Sequence, residues 1–265
     1  MLVLLPPSEG KAGSGEGAPL DLAGLSLPAL NPARTAVLDA LVALCSAEDQ
    51  APAMAALGLS PGLRGEPARN AALRTAPALP ADRLYTGVLY DALDPASLGA
   101  PARTLAQRSL LVVSGLWGAL RPGDRIPPYR CSMGVKLPPL GPLGTYWRKA
   151  LGEVLPGVAG SGLVLDLRST AYAAAWRPTG EVAARTATVR VLHEREVGGV
   201  AKRSVVSHFN KATKGRLVRD LLQAGAEPAD PAELVAALRD LKYTVEEQPA
   251  AAGQPLRLDV VVTEL

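Results

Sequence analysis

Three short, nearly unbroken apolar runs punctuate the chain, at 2–5, 110–113 and 163–167. Runs of this length, bounded by Pro, Gly or Ser, read as strands buried on both faces, the pattern of a parallel sheet. Between them apolar positions recur at helical spacing. Asn31-Pro32 supplies an N-cap with Pro at the first helical position, predicting a helix to about 46 with Val37, Leu38, Leu41, Val42 and Cys45 on its apolar face. Further helices are predicted at 48–57, ending at Gly58, and at 66–74, 95–107 and 145–155, while 85–91 reads as a punctuated connecting segment. The C-terminal part predicts a hairpin, 186–196 with 202–207 across Gly198-Gly199. A cationic helix at 210–224 closed by Gly225 follows, then a helix from Asp230-Pro231 to about 241. A last hairpin pairs 242–246 with 256–263. Strands alternating with helices early, and hairpins late, predict a single compact α/β domain over 1–265, with a mixed β-sheet flanked by helices.

Composition changes this picture little. The 265 residues are 48% apolar, enough for a full core, and only 4% aromatic. The net charge of +3 is too small to mark a nucleic-acid binder, but its distribution is informative. Arg121, Arg125, Arg130, Lys136, Arg148 and Lys149 fall in one segment, and Lys202, Arg203, Lys211, Lys214, Arg216 and Arg219 in another. Brought together, the two would line a basic cleft; kept apart, they are ordinary solvated faces. Two isolated cysteines, Cys45 and Cys131, point to a reducing, cytoplasmic compartment. Two histidines, His193 and His208, and no metal-ligand spacing predict no metal site, and no cofactor is expected. The N-terminus lacks the basic flank of a signal peptide, and no apolar run approaches membrane-spanning length.

Candidate chemistry gathers where strands end. Ser8-Glu9-Gly10-Lys11 follows the first strand; it is not a Walker A motif, but Ser8, Lys11 and open backbone N–H groups suit a phosphate or carboxylate. The second strand runs into 114–134, where Arg121, Arg125, Tyr129 and Arg130 sit among stiffening prolines. Guanidinium forks there suit phosphate, or else bond loop carbonyls. Trp117 and Trp147 offer faces on which a base could stack, or serve as large core pieces. The third strand leads to Ser169 and Tyr172; with no G-x-S-x-G elbow, a serine triad is not indicated. Lys211 and Lys214 lie on the first turns of a helix, against its dipole, a cost that a bound anion, a nearby acid or other packing would offset. The outline helix, Gly58-containing turn, helix over 48–74 also fits a helix-hairpin-helix or an ordinary helical corner.

Several of these residues recur in order in one known family. Ser114-Gly115-Leu116-Trp117-Gly118 through Arg121-Pro122, then Pro128-Tyr129-Arg130 and Met133-Gly134, form the most specific block. Tyr85-Thr86-Gly87, Tyr146-Trp147, Ser169 with Tyr172, and Lys211, Gly215 and Arg219 support it. In these features the chain resembles, nearly end to end, the YaaA family of peroxide-stress proteins. Many members have Ser-Pro-Ala-Lys after the first strand, where this chain reads Pro7-Ser8-Glu9-Gly10-Lys11, one residue longer. The resemblance implies a cytoplasmic protein that limits damage from peroxide and free iron. It also implies a mixed α/β fold with a positively charged cleft, and DNA binding through a helix-hairpin-helix.

Two functions follow as expectations. In the first, the protein binds double-stranded DNA through Ser8, Lys11, Arg121, Arg125, Tyr129, Arg130, Ser169, Tyr172, Lys211, Lys214 and Arg219. In the second, it is an enzyme acting on a nucleotide, nucleobase or other phosphorylated small molecule. Its pocket would be formed by 8–11, 114–134, 168–172 and 207–215, with Lys11 or Lys211 as acid, base or charge stabiliser.

Overall fold

The computed structural model describes residues 1–13, 17–197, 200–251 and 253–263, and within them not the side chains of Val197, Val200, Ser207 and His208. The predicted Gly198-Gly199 turn thus lies outside the described residues. In chain order the first elements are β1 (Leu2–Leu5), α1 (Asn31–Cys45), α2 (Ala51–Leu57), α3 (Glu66–Ala71), α4 (Ala81–Leu84), α5 (Val88–Leu93) and α6 (Ala100–Ser109). There follow β2 (Leu110–Ser114), β3 (Gly118–Leu120), α7 (Leu143–Ala159), β4 (Val164–Asp166), α8 (Thr170–Ala173) and α9 (Gly180–Ala184). Last come β5 (Thr186–Val197), β6 (Val200–Ser204), α10 (Ser207–Gln223), α11 (Pro231–Asp240), β7 (Thr244–Gln248) and β8 (Leu256–Val262).

One mixed sheet organises these elements, in the order β7-β8-β5-β4-β1-β2-β3, with β6 paired to β5. The five inner strands, β8 to β2, are parallel; β7, β3 and β6 pair antiparallel. The three apolar runs are its centre: Val3 stands opposite Leu110 on one side and Leu165 on the other. Every residue of β1, β2 and β4 is buried, which is why these strands carry no polar alternation. Edge strand β7 is only partly covered, with Val245 buried between exposed Thr244 and half-buried Glu246.

Some boundaries differ from the sequence reading. Asn31 is inside its helix, after a short 3-10 turn at Pro28–Leu30; its side chain donates to Leu22 O and accepts from Arg34, so it braces the turn instead of capping. The 85–91 segment runs into α5 at Val88, because Gly87, at φ +93°, lets the chain turn directly into helix. The single helix expected at 95–107 is a 3-10 turn, Pro95–Ser97, followed by α6. Ser207 starts α10 and does not extend the hairpin. Asp230 does cap α11, accepting from Glu233 N.

The largest correction concerns 114–134. Its first part is no open loop: residues 114–120 are all buried, and β3 folds back on β2. Ser114 Oγ accepts from Leu116 N (3.2 Å) and Trp117 N (3.1 Å), which tightens the reversal. Gly118 takes a positive φ of 72°, and any Cβ there would lie 2.6 Å from the Trp147 ring. Trp147 Nε1 donates to Gly115 O at 2.8 Å. The Ser-Gly-Leu-Trp-Gly block is therefore a packing device that holds the end of β2.

Candidate functional site

The parallel strands run β1 to β2 on one side, then cross back to place β4 on the other side of β1. Loops leaving β1 and β4 must therefore diverge, and ligands in open α/β sheets bind in the crevice this leaves at the strands' carboxyl ends. A cleft of about 350 Å³ lies there. Its walls are 6–10, following β1; 86–90, entering α5; Ser169 and Tyr172, following β4; and Lys211 of α10.

Each wall has a local cause. The 8–12 segment is stitched to 84–86 by Ala12 N to Leu84 O (2.8 Å) and by Thr86 N to Ser8 Oγ (3.2 Å). Tyr90 donates its hydroxyl to Pro6 O at 2.7 Å, tying α5 to the end of β1. Ser169 starts α8 but makes no side-chain cap bond, so its hydroxyl is available to the cleft. Just behind it, Asp166 is engaged by Arg168 through two bonds, Nε to Oδ1 at 2.8 Å and Nη2 to Oδ2 at 2.7 Å. That arrangement removes Asp166 as a partner for Ser169.

Lys11 sits beside the cleft, half-buried. Its ammonium donates to Ser8 O at 3.0 Å and lies 4.3 Å from the centre of the Tyr129 ring. Burial pulls its pKa down to about 8, opposed by Glu9 and Glu66 and assisted by Arg130. Beneath it runs a closed hydroxyl chain, Tyr85 to Tyr129 (2.8 Å) to Ser114 (2.7 Å), in which burial holds both phenols well above their ordinary pKa. Arg130 pairs with Glu9 at 3.0 Å, so this rim is partly neutralised. Lys214 lies deeper, 3.4 Å from Leu167 O, its pKa lowered by burial against the pull of Asp166. Lys211 is exposed and makes no ion pair or hydrogen bond among the described residues.

The structure thus brings together Ser8, Ser169, Tyr172 and Lys211 around the cleft, with Lys11, Tyr129, Arg130 and Lys214 beside or beneath it. The other predicted residues are elsewhere. Arg121 donates to Arg108 O (2.7 Å) and Leu110 O (3.1 Å), at the opposite end of β2. Arg125 bonds Ala78 O at 2.8 Å. Arg219 clamps the end of α5 through Leu93 O (3.0 Å) and Asp94 O (2.9 Å). These three serve backbone carbonyls. Trp117 and Trp147 are fully enclosed, at 0% exposure, so neither ring has a face open to a base. The expected stacking role gives way to a core one. Sequence reading placed the 8–11 segment at the pocket without singling out Glu9, and it missed Thr86 and Tyr90, whose signal was the punctuation at Tyr85-Thr86-Gly87.

Among the described residues no group of three or more His, Cys, Asp or Glu could hold a metal ion, and no helix is long and apolar enough to cross a membrane. Both cysteines are free and buried, and burial pushes the Cys131 thiol up to about 12.

Comparison with known proteins gives a consistent picture. The family described as peroxide stress protein YaaA matches residues 1–249. A UPF0246 protein of Streptomyces coelicolor is 66% identical over the whole of both chains. UPF0246 proteins of Corynebacterium efficiens and Corynebacterium glutamicum are 43% and 41% identical, over 93% and 94% of this chain and 95% and 96% of theirs.

Proposed function

The chain belongs to the YaaA family of peroxide stress proteins, and from that membership we propose that it acts in the cytoplasm by binding double-stranded DNA through the switch-point cleft, so limiting the damage peroxide and free iron do there. The observation that carries this reading is Lys211. It is an exposed cation at the cleft with no ion pair among the described residues, on the first turns of a helix whose dipole already disfavours it. An anion offsets both costs, and a backbone phosphate is the anion DNA offers. Lys11 adds charge from beside the cleft, while Arg130 there is paired with Glu9. The 51–71 segment supplies a second contact in this reading, as a helix-hairpin-helix: α2, the turn at Gly58, the 3-10 turn Pro61–Leu63, and α3. In this reading the backbone of the turn contacts phosphate.

The test is binding of a labelled duplex at about 50 and 200 mM salt, for wild type and Lys211→Gln. The dependence of log K on log salt should flatten by roughly 0.9 on losing one phosphate contact. Binding that ignores the substitution discards this use of the cleft. Lys214 is a poor probe, since its buried ammonium supports Leu167 O.

A second reading rests on a different observation. A cleft at a topological switch point, with a lysine of pKa about 8 beside it, also suits an enzyme acting on a nucleotide, nucleobase or other phosphorylated small molecule. Thermal shift with a panel of such compounds tests it: if none raises Tm, the reading is abandoned.

A further inference from the structure

We infer that the β5–β6 hairpin is a second DNA-contacting element, a cationic ribbon on which Arg195 and Lys202 together grip the phosphate backbone. The inference rests on the DNA reading above and adds a site to it.

The ribbon's position comes from the pairing. β8 accompanies β5 only as far as His193, opposite Val262, and β4 only as far as Thr188. Beyond His193, β5 is paired with β6 alone. Residues 194–197 therefore have β6 as their strand partner, and the ribbon curls back over one face of the sheet, where Arg203 of β6 reaches Glu246 of β7. β5 is parallel to its neighbour β4, and β4 to β1, so the ribbon leaves the sheet at the end where the cleft opens. β6 then leads within a few residues into α10, which carries Lys211.

The register sorts the ribbon's charges by face. Arg195 stands directly opposite Lys202, and both are exposed. Neither makes an ion pair among the described residues. Residues two apart share a face, so these cations lie on the same side as His193, whose ring centre lies 6.5 Å from that of Phe209 of α10. The cationic face is thus the one turned to the side of α10. The other face holds Glu194, Glu196 and Arg203, and Arg203 is neutralised there by Glu194 and Glu246 at 2.7 and 2.8 Å. The acids that could have neutralised Arg195 and Lys202 point away from them.

Like charges directly opposite one another destabilise an antiparallel pair. An external polyanion removes that cost, and a two-stranded ribbon has the width to lie along or within a DNA groove. Contacts of this kind hold the protein on the duplex without reading sequence.

The experiment is anisotropy titration of a labelled duplex across 50 to 200 mM salt. Each phosphate contact contributes about a 3.5-fold loss of affinity over that range. With one phosphate per cation, Arg195→Gln/Lys202→Gln should reduce the salt-driven loss by about tenfold. Arg195→Lys/Lys202→Arg, which keeps charge and alters shape, should behave as wild type. Arg257→Gln, which removes an exposed charge where β8 begins, at the far end of the sheet, should leave the slope unchanged. If wild type binds and the Gln pair retains its slope, the ribbon inference is overturned while DNA binding stands. An equal flattening by Arg257→Gln also overturns it, because net charge alone would then account for the effect. If wild type binds no duplex at any salt, the DNA reading falls and the ribbon with it.

Discussion

Substituting Gly215 by Ala tests the joint that holds α10 against α5. Gly215 lies inside α10, and on helix propensity alone Ala would gain about 1 kcal/mol. The structure predicts the opposite sign. A Cβ at 215 would lie 2.2 Å from Leu89 O, 2.9 Å from Ala92 Cβ and 3.0 Å from Leu93 N, all on α5. Two of these are backbone atoms that no rotamer change can move. Relief requires the helices to part by about 1 Å, against the Arg219 clamp on the same end of α5. Overpacking of this kind costs about 1–3 kcal/mol or more, and with fixed backbone on one side the upper end applies. The net loss is then about 2 kcal/mol, or about 4–8 °C in Tm for a chain of this size. Gly152 is the internal control: it is an exposed position in α7, where an added Cβ would meet nothing within 4 Å, so Gly152→Ala should raise Tm by about 2–4 °C. Thermal unfolding of the two variants decides it. Gly215→Ala at or above the wild-type Tm would refute the argument that close approach requires this glycine. Because α10 carries Lys211, the variant should also weaken any binding at the cleft.

Two further predictions concern buried cations. The Lys11 amine should titrate near pH 8 in a lysine-reactivity profile, and a midpoint above 10 would contradict its burial. Between about pH 8 and 10.5 the unfolded chain holds this proton and the folded one does not, so stability rises with pH there; the urea midpoint of wild type should climb relative to Lys11→Met across that window. Arg34 is fully buried and donates to Trp117 O (3.0 Å), Ala119 O (2.6 Å) and Ser26 O (2.8 Å), and burial lowers its pKa to about 10, so it stays charged at neutral pH. Arg34→Met strands those carbonyls and should cost about 3 kcal/mol in urea unfolding; a loss under about 1 kcal/mol would mean they find other donors.

The centre of this protein can be read along the chain. Apolar runs at 2–5, 110–113 and 163–167 must be buried on both faces, and with helices between them that requires parallel strands. Asp230-Pro231 caps its helix as expected, because capping depends on a few adjacent residues. The cleft was legible in part for the same reason: Ser8, Ser169 and Tyr172 follow strand ends, which is where sites in such sheets form. Which charges and rings are available, by contrast, was settled by long-range contacts. Arg121, Arg125 and Arg219 look like Lys211 in sequence, yet carbonyls 11 to 126 positions away engage the arginines and leave the lysine exposed. Trp117 and Trp147 are enclosed because β3 folds back on β2, a reversal that depends on Trp147 packing over Gly118. Strand register set Arg195 against Lys202 and turned their neighbouring acids away, since a shift of one residue would have paired them differently. Hydrophobic burial acts through local pattern and is legible from one residue to the next; hydrogen bonding and charge pairing depend on partners that only folding brings near.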